Sequence, residues 1–124
     1  MNNPYEKYKS NNVFTASGEE LTLMLYDAAV KFCNQAEIAL ENKDFKKTNE
    51  LLLKVQAIIQ EFQITLNTKY EIANQLNVMY TYIHQRLVDA NIKKDKEILL
   101  EAKNLIKSLR DTWKEAMKKA KTGH

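Results

Sequence analysis

The sequence predicts an all-α fold, an antiparallel up-down four-helix bundle preceded by a short N-terminal arm. Three observations carry that prediction. The 124 residues include only two Gly and one Pro, so almost nothing breaks a helix between Gly18 and Gly123. Apolar residues recur at helical spacing in four segments, about residues 17–42, 44–66, 70–90 and 95–120. The polar stretches between those segments are a few residues long, which forces neighbouring helices to run antiparallel.

Residues 1–16 form an arm of different character. Asn3-Pro4-Tyr5-Glu6 offers an N-cap, a proline at the first helical position and an acid, the signals of a short helix to about Lys9 with Tyr5 and Tyr8 on one side. Asn11 and Asn12 interrupt it, and Val13-Phe14-Thr15-Ala16 leads towards the bundle. So short a segment cannot hold a helix alone, and the arm reads either as a lid on a groove or as a frayed end.

The first bundle helix opens on a capping box. The Ser17 hydroxyl is placed to accept from the Glu20 N–H, and the Glu20 carboxylate from the Ser17 N–H. A step of about 100° per residue then aligns Leu21, Met24, Leu25, Ala28, Phe32, Ala36 and Ala39 as a core stripe. Leu23 and Val30, with Tyr26 beside them, fall on the other side. The second helix takes Asp44 as N-cap and aligns Thr48, Leu51, Leu52, Val55, Ile58, Ile59, Phe62 and Leu66 before the polar break Asn67-Thr68-Lys69. The third aligns Ile72, Ala73, Leu76, Met79, Tyr80, Ile83 and Leu87. Asn91-Ile92-Lys93-Lys94-Asp95 then turns the chain, with Asp95 capping the fourth helix, which aligns Ile98, Ala102, Leu105, Ile106, Leu109, Trp113 and Ala116.

Composition narrows the function. The chain is the size of one domain, and its net charge is only +3, with Lys114, Lys118, Lys119 and Lys121 gathered where they complement the negative end of the last helix. Arg86 and Arg110 are the only arginines, too few for a nucleic-acid footprint of phosphate contacts and base readers. Cys33 stands alone, which fits a reducing compartment, and the polar N-terminus resembles no secretory signal. A cytoplasmic location without membrane insertion is expected, since no apolar run approaches a membrane span.

Chemistry finds little to stand on. His84 has no acid or thiol three or four residues away, and His124 ends the chain. With glycine only at positions 18 and 123, no phosphate loop can be written. No catalytic residue, metal or cofactor is expected.

What exceeds a bundle's needs is apolar surface. Beside Leu23, Tyr26 and Val30, the second helix carries Leu53, Ala57 and Ile64 opposite its core stripe, and the third carries Val78 and Tyr82. Singly, such residues are ordinary. Together they suggest a binding surface, with Tyr5, Tyr8 and Val13 of the arm as a candidate cover. Serine at Leu23 and Val30 is then expected to weaken partner binding and leave the thermal midpoint nearly unchanged. A homo-oligomer would bury the same stripes, so periodicity leaves that alternative open.

The run Val13-Phe14-Thr15-Ala16-Ser17-Gly18-Glu19-Glu20-Leu21 through Phe32 resembles the first helix of the flagellin export chaperones, the FliS family. Ala90 to Asp95 and Leu109-Arg110-Asp111-Thr112-Trp113 to Ala116 are similar to that family's third loop and fourth helix, and Gly18 departs from it where the family often has proline. The resemblance implies a cytoplasmic chaperone that binds the C-terminal segment of flagellin, prevents premature polymerisation and delivers it to the flagellar type III export gate. It implies that the partner wraps the outside of the bundle and displaces the arm. A scaffold that binds another amphipathic helix, with no flagellar role, would use the same surface.

Overall fold

The computed structural model describes residues 18–66 and 72–122; the arm with Tyr5, Tyr8 and Val13, the Ser17 cap and the expected break at 67–69 lie outside the described residues. Four helices follow one another: α1 (Gly18–Glu41), α2 (Phe45–Thr65), α3 (Ile72–Lys93) and α4 (Lys96–Thr122). Each packs on two neighbours, α1 on α2 and α4, and α3 on α2 and α4, so the helices stand at the corners of a square.

Two turns close one end of the bundle, and both are built alike. At the end of α1 the Lys43 N–H reaches the Leu40 carbonyl and the Asp44 N–H reaches the Ala39 carbonyl at 2.8 Å, with Lys43 at φ 60°. That is a Schellman termination, carried by lysine where glycine is the usual choice. Asp44 then caps α2, its carboxylate accepting from the Lys47 N–H at 3.2 Å. At the end of α3 the Asp95 N–H bonds the Ala90 carbonyl, Lys94 takes φ 50°, and the Asp95 carboxylate accepts from the Ile98 N–H.

This second turn corrects the sequence reading, which ended the third helix near Ala90. The helix continues to Lys93. Asn91 is buried and donates from Nδ2 to Asn49 Oδ1 at 2.7 Å, so α2 satisfies a side chain that otherwise favours a turn. Lys94 Nζ in turn donates to the Asn91 carbonyl, covering a main-chain acceptor at the helix end.

The core runs through Leu52, Val55, Ile58 and Ile59 of α2, Ile83 and Leu87 of α3, and Leu99, Ala102 and Ile106 of α4. α1 answers with small side chains, Ala28, Ala29, Cys33, Ala36 and Ala39, which let its backbone approach. Leu99 is a core residue that the stripe read from sequence left out.

Polar pairs mark how the seams are set. Between α1 and α4, Asp27, Glu37 and Glu41 meet Arg110, Lys103 and Lys96 in reverse order, at 3.6, 3.0 and 2.9 Å, as antiparallel helices require. Between α2 and α3, Gln63 Nε2 donates to Asn77 Oδ1 and Thr81 Oγ1. Between α3 and α4, Glu101 accepts from both Tyr82 and Arg86. Exposed pairs of this kind contribute little energy each, and their use here is as markers of register and facing.

Those markers explain the main error of the sequence reading. Val30 is 7% exposed and Tyr26 3%, so both belong to the core rather than to an outer stripe, and Leu23 is half-buried. Leu23, Val30 and Glu37 are spaced by seven and share one flank, and Glu37 pairs with Lys103 of α4. Leu23 and Val30 lie on the flank that meets α4, while Tyr26 turns inward to α2 and α3. A helix at the corner of a square has two neighbours to cover, and a single stripe underestimates it. The opposite error occurs on α3 and α4: Ile72, Met79 and Ala116, assigned to core stripes, are exposed.

Candidate functional site

At the end of the bundle away from the two turns, the core opens into a groove of about 550 Å3. Every helix contributes a wall: Thr22 and Tyr26 from α1, Phe62 and Thr65 from α2 with Leu66 directly after it, Ile72, Ala73, Leu76 and Tyr80 from α3, and Leu109, Thr112, Trp113 and Ala116 from α4. Among the described residues, no Lys, Arg, Asp or Glu lines it.

Aromatic rings from three helices make its floor. The Tyr26 and Phe62 ring centroids lie 4.4 Å apart, those of Phe62 and Tyr80 5.6 Å, both pairs tilted. The tyrosine hydroxyls meet across the diagonal of the square, oxygen to oxygen at 2.6 Å. Burial is the main reason both phenols are pushed above the ordinary tyrosine range, so neither ionises near neutrality. Trp113 fixes the α4 wall, its indole N–H donating to the Glu19 carbonyl at 3.0 Å in the first turn of α1.

The polar atoms near the mouth are largely engaged within their own helices. Thr22 Oγ1 donates to the Gly18 carbonyl, and Thr65 Oγ1 to the Glu61 carbonyl at 2.9 Å. The walls are therefore apolar, a surface suited to the greasy side of another segment.

The candidate partner residues do not gather on one surface. Tyr26 lies at the groove floor, and Ile64, 77% exposed, adjoins the wall residues Thr65 and Leu66. Leu53, half exposed, and half-buried Ala57 lie farther along α2. Val78 and Tyr82 are exposed on α3, but Tyr82 donates to Glu101 of α4, whereas Asn77 and Thr81 mark the flank towards α2. The α3 residues thus lie on the side of α4, away from the flank that meets α2. Val30 is withdrawn into the core.

Sequence reasoning assigned Phe62, Leu76, Leu109 and Trp113 to the core and so missed them as groove residues. A stripe is read as buried along its whole length, while a bundle can splay at one end. One signal was available: in an antiparallel bundle, Tyr26, Phe62, Tyr80 and Trp113 fall at the same level, a layer too rich in rings to close as aliphatic layers do.

His84 lies a turn beyond Tyr80 on α3, its Nε2 buried with no hydrogen-bond partner among the described residues. Among those residues, no three His, Cys, Asp or Glu side chains converge to hold a metal, and no helix is long and apolar enough to cross a membrane.

Residues 1–120 match the model of the family described as flagellar protein FliS. The flagellar secretion chaperone FliS of Bacillus subtilis (strain 168) is 45% identical over 117 residues, covering 94% of this chain and 88% of that protein. Its counterpart of the same name in Salmonella typhimurium is 32% identical over 111 residues, covering 87% and 82%. A crystal structure of a flagellar chaperone from bacteria superposes with a TM-score of 0.76 at 18% identity, covering 92% of this chain and 94% of that one, a likeness of fold.

Proposed function

We propose, because this chain belongs to the flagellar protein FliS family, that it is a flagellar secretion chaperone that captures the C-terminal segment of flagellin in the cytoplasm, keeps it from polymerising and presents it to the export gate. The observation that carries the reading is the groove. It is apolar, open at one end of the bundle, and lined by all four helices of a chain whose relatives are named secretion chaperones.

Capture would work by coupled folding and binding. A segment disordered in the monomer gains affinity from apolar anchors set into the groove between Phe62, Leu76, Leu109 and Trp113. Ordering it offsets part of that gain, about 2–5 kcal/mol, which keeps the complex releasable. A segment that occupies the chaperone cannot make filament contacts with the same residues. No cofactor enters this reading.

Gly18, the first residue of α1, lies one turn before the wall residue Thr22, which supports Tyr5, Tyr8 and Val13, preceding it in the chain, as a cover that the partner displaces. Deleting residues 1–10 is expected to raise affinity, and a strong loss would instead make the arm a direct contact. The outer residues Leu53, Ala57, Ile64, Val78 and Tyr82 remain candidates for a longer wrap. The deciding experiment is calorimetric titration of the full chain with a synthetic flagellin C-terminal segment, followed by amide exchange. Protection should appear in α2 near Phe62 and in α4 near Trp113. Absence of binding would overturn the reading.

A further inference from the structure

We propose that the Tyr26 and Tyr80 hydroxyls form a hydrogen-bond donor site inside the groove, which takes one uncharged acceptor, an amide or main-chain carbonyl, from the segment docked there. The inference rests on the docking reading above and adds what the groove selects.

The count of protons carries it. Each phenol has one O–H to give, and the 2.6 Å contact uses one of the two. Neither hydroxyl has another hydrogen bond to the described residues, so the second proton has no acceptor among them. Both residues line the groove, at 3% and 4% exposed. The other donors are spent or outside: Thr22, Thr65 and Trp113 already donate to main-chain carbonyls, and Thr112 sits on the exposed rim.

Stability alone does not call for this pair. Replacing two hydrogen-bonded groups by apolar groups of the same shape is often neutral or stabilising. Two phenylalanines would fill the same floor beside Phe62 and leave no proton without an acceptor. The acceptor must also be neutral, because no cation among the described residues lines the groove and a carboxylate there would lose its hydration without a partner. A docked segment that buries an Asn or Gln carbonyl, or the last carbonyls of a helix, meets the condition.

The test compares the wild-type chain with Tyr26→Phe, Tyr80→Phe and the double variant, each titrated with the synthetic flagellin C-terminal segment and each melted without it. The double variant should keep or raise the melting temperature and lose roughly 3- to 10-fold in affinity. Each single variant leaves one phenol whose proton no longer has a tyrosine acceptor, so each should bind with an affinity between those of the double variant and the wild type. If the double variant does not fold, Tyr26→Phe combined with Tyr80→Leu takes its place in the titration, with the same loss expected. Wild-type affinity retained in all folded variants would overturn the donor site and leave the docking reading intact. Failure of the wild type to bind would overturn both.

Discussion

Replacing Val30 by serine should weaken the fold, whereas serine at Ile64 should leave the fold alone and act on binding. Val30 keeps 7% of its surface exposed, on the flank of α1 that meets α4. Returning a valine side chain to water is worth about 1.5–3 kcal/mol, and the methyl-sized void left by serine adds to that. The new hydroxyl can bond back to the carbonyl of Tyr26, four residues earlier, which limits its desolvation cost. The sum is about 2–4 kcal/mol, against a typical domain stability of about 5–15 kcal/mol. A midpoint fall of roughly 10 °C follows for a chain of this size. Ile64 is 77% exposed, so Ile64→Ser should stay within about 0.5 kcal/mol of wild type. Urea titration followed by helical circular dichroism measures both. A Val30→Ser chain as stable as wild type but deficient in partner binding would show that this flank of α1 faces the partner and not α4.

Three other outcomes follow from local chemistry. Lys43→Gly should stabilise the chain by about 0.5 kcal/mol, since lysine at φ 60° carries a left-handed strain that glycine lacks, partly offset by glycine's freer unfolded state. Lys94→Gly should gain less or lose, because Lys94 Nζ bonds the Asn91 carbonyl and side chain at 2.5 and 2.8 Å; urea midpoints compare the two. Hydrogen bonds from Tyr82 and then Arg86 hold the Glu101 carboxyl below the usual carboxylate range. A depressed carboxyl stabilises the fold above its unfolded pKa and loses that contribution as pH falls through its folded value, so Glu101→Gln should show a shallower stability loss on acidification below about pH 4.5. Cys33 is fully buried with its thiol pushed up to about 12, chiefly by burial, so it should react with a disulfide reagent only at the rate of unfolding; immediate labelling of the native chain would contradict its place in the core.

How far the sequence could be read depends on what each residue answers to. Asp44 and Asp95 were legible as caps because capping is local, an acid three residues before the N–H it accepts. The α2 stripe from Thr48 to Phe62 was legible because its spacing is regular and its residues are buried together. Val30 and Tyr26 were read as an outer stripe although both are buried, because periodicity measures angle about one axis and says nothing of how many neighbours surround it. Lys43 and Lys94 carry positive φ where only glycine or asparagine announces such a turn, so the Schellman geometry left no mark in the sequence. The groove was hidden for a related reason: Leu76 or Leu109 looks the same in a stripe whether the layer around it is closed or open.

The closed and open ends of the bundle answer to different demands. Both capped turns lie at one end, where Glu41 pairs with Lys96 and Asn49 holds Asn91, so four helix termini are tied by local bonds. At the other end α1 begins and α4 ends, Trp113 bonds the first turn of α1, and the core layer leaves about 550 Å3 unfilled. Opening there to admit a segment need not disturb Ala36, Leu52, Leu87 or Leu99, which pack at the closed end. Local stability should then fall along the helices, highest near the turns and lowest at the groove. Native-state amide exchange tests this directly: protection near Ala36 and Leu87 should track global unfolding, and amides near Leu109 should exchange through smaller openings until a docked segment slows them. Uniform protection along α4 would mean that the groove opens only when the whole bundle does, and capture would then have to compete with folding itself.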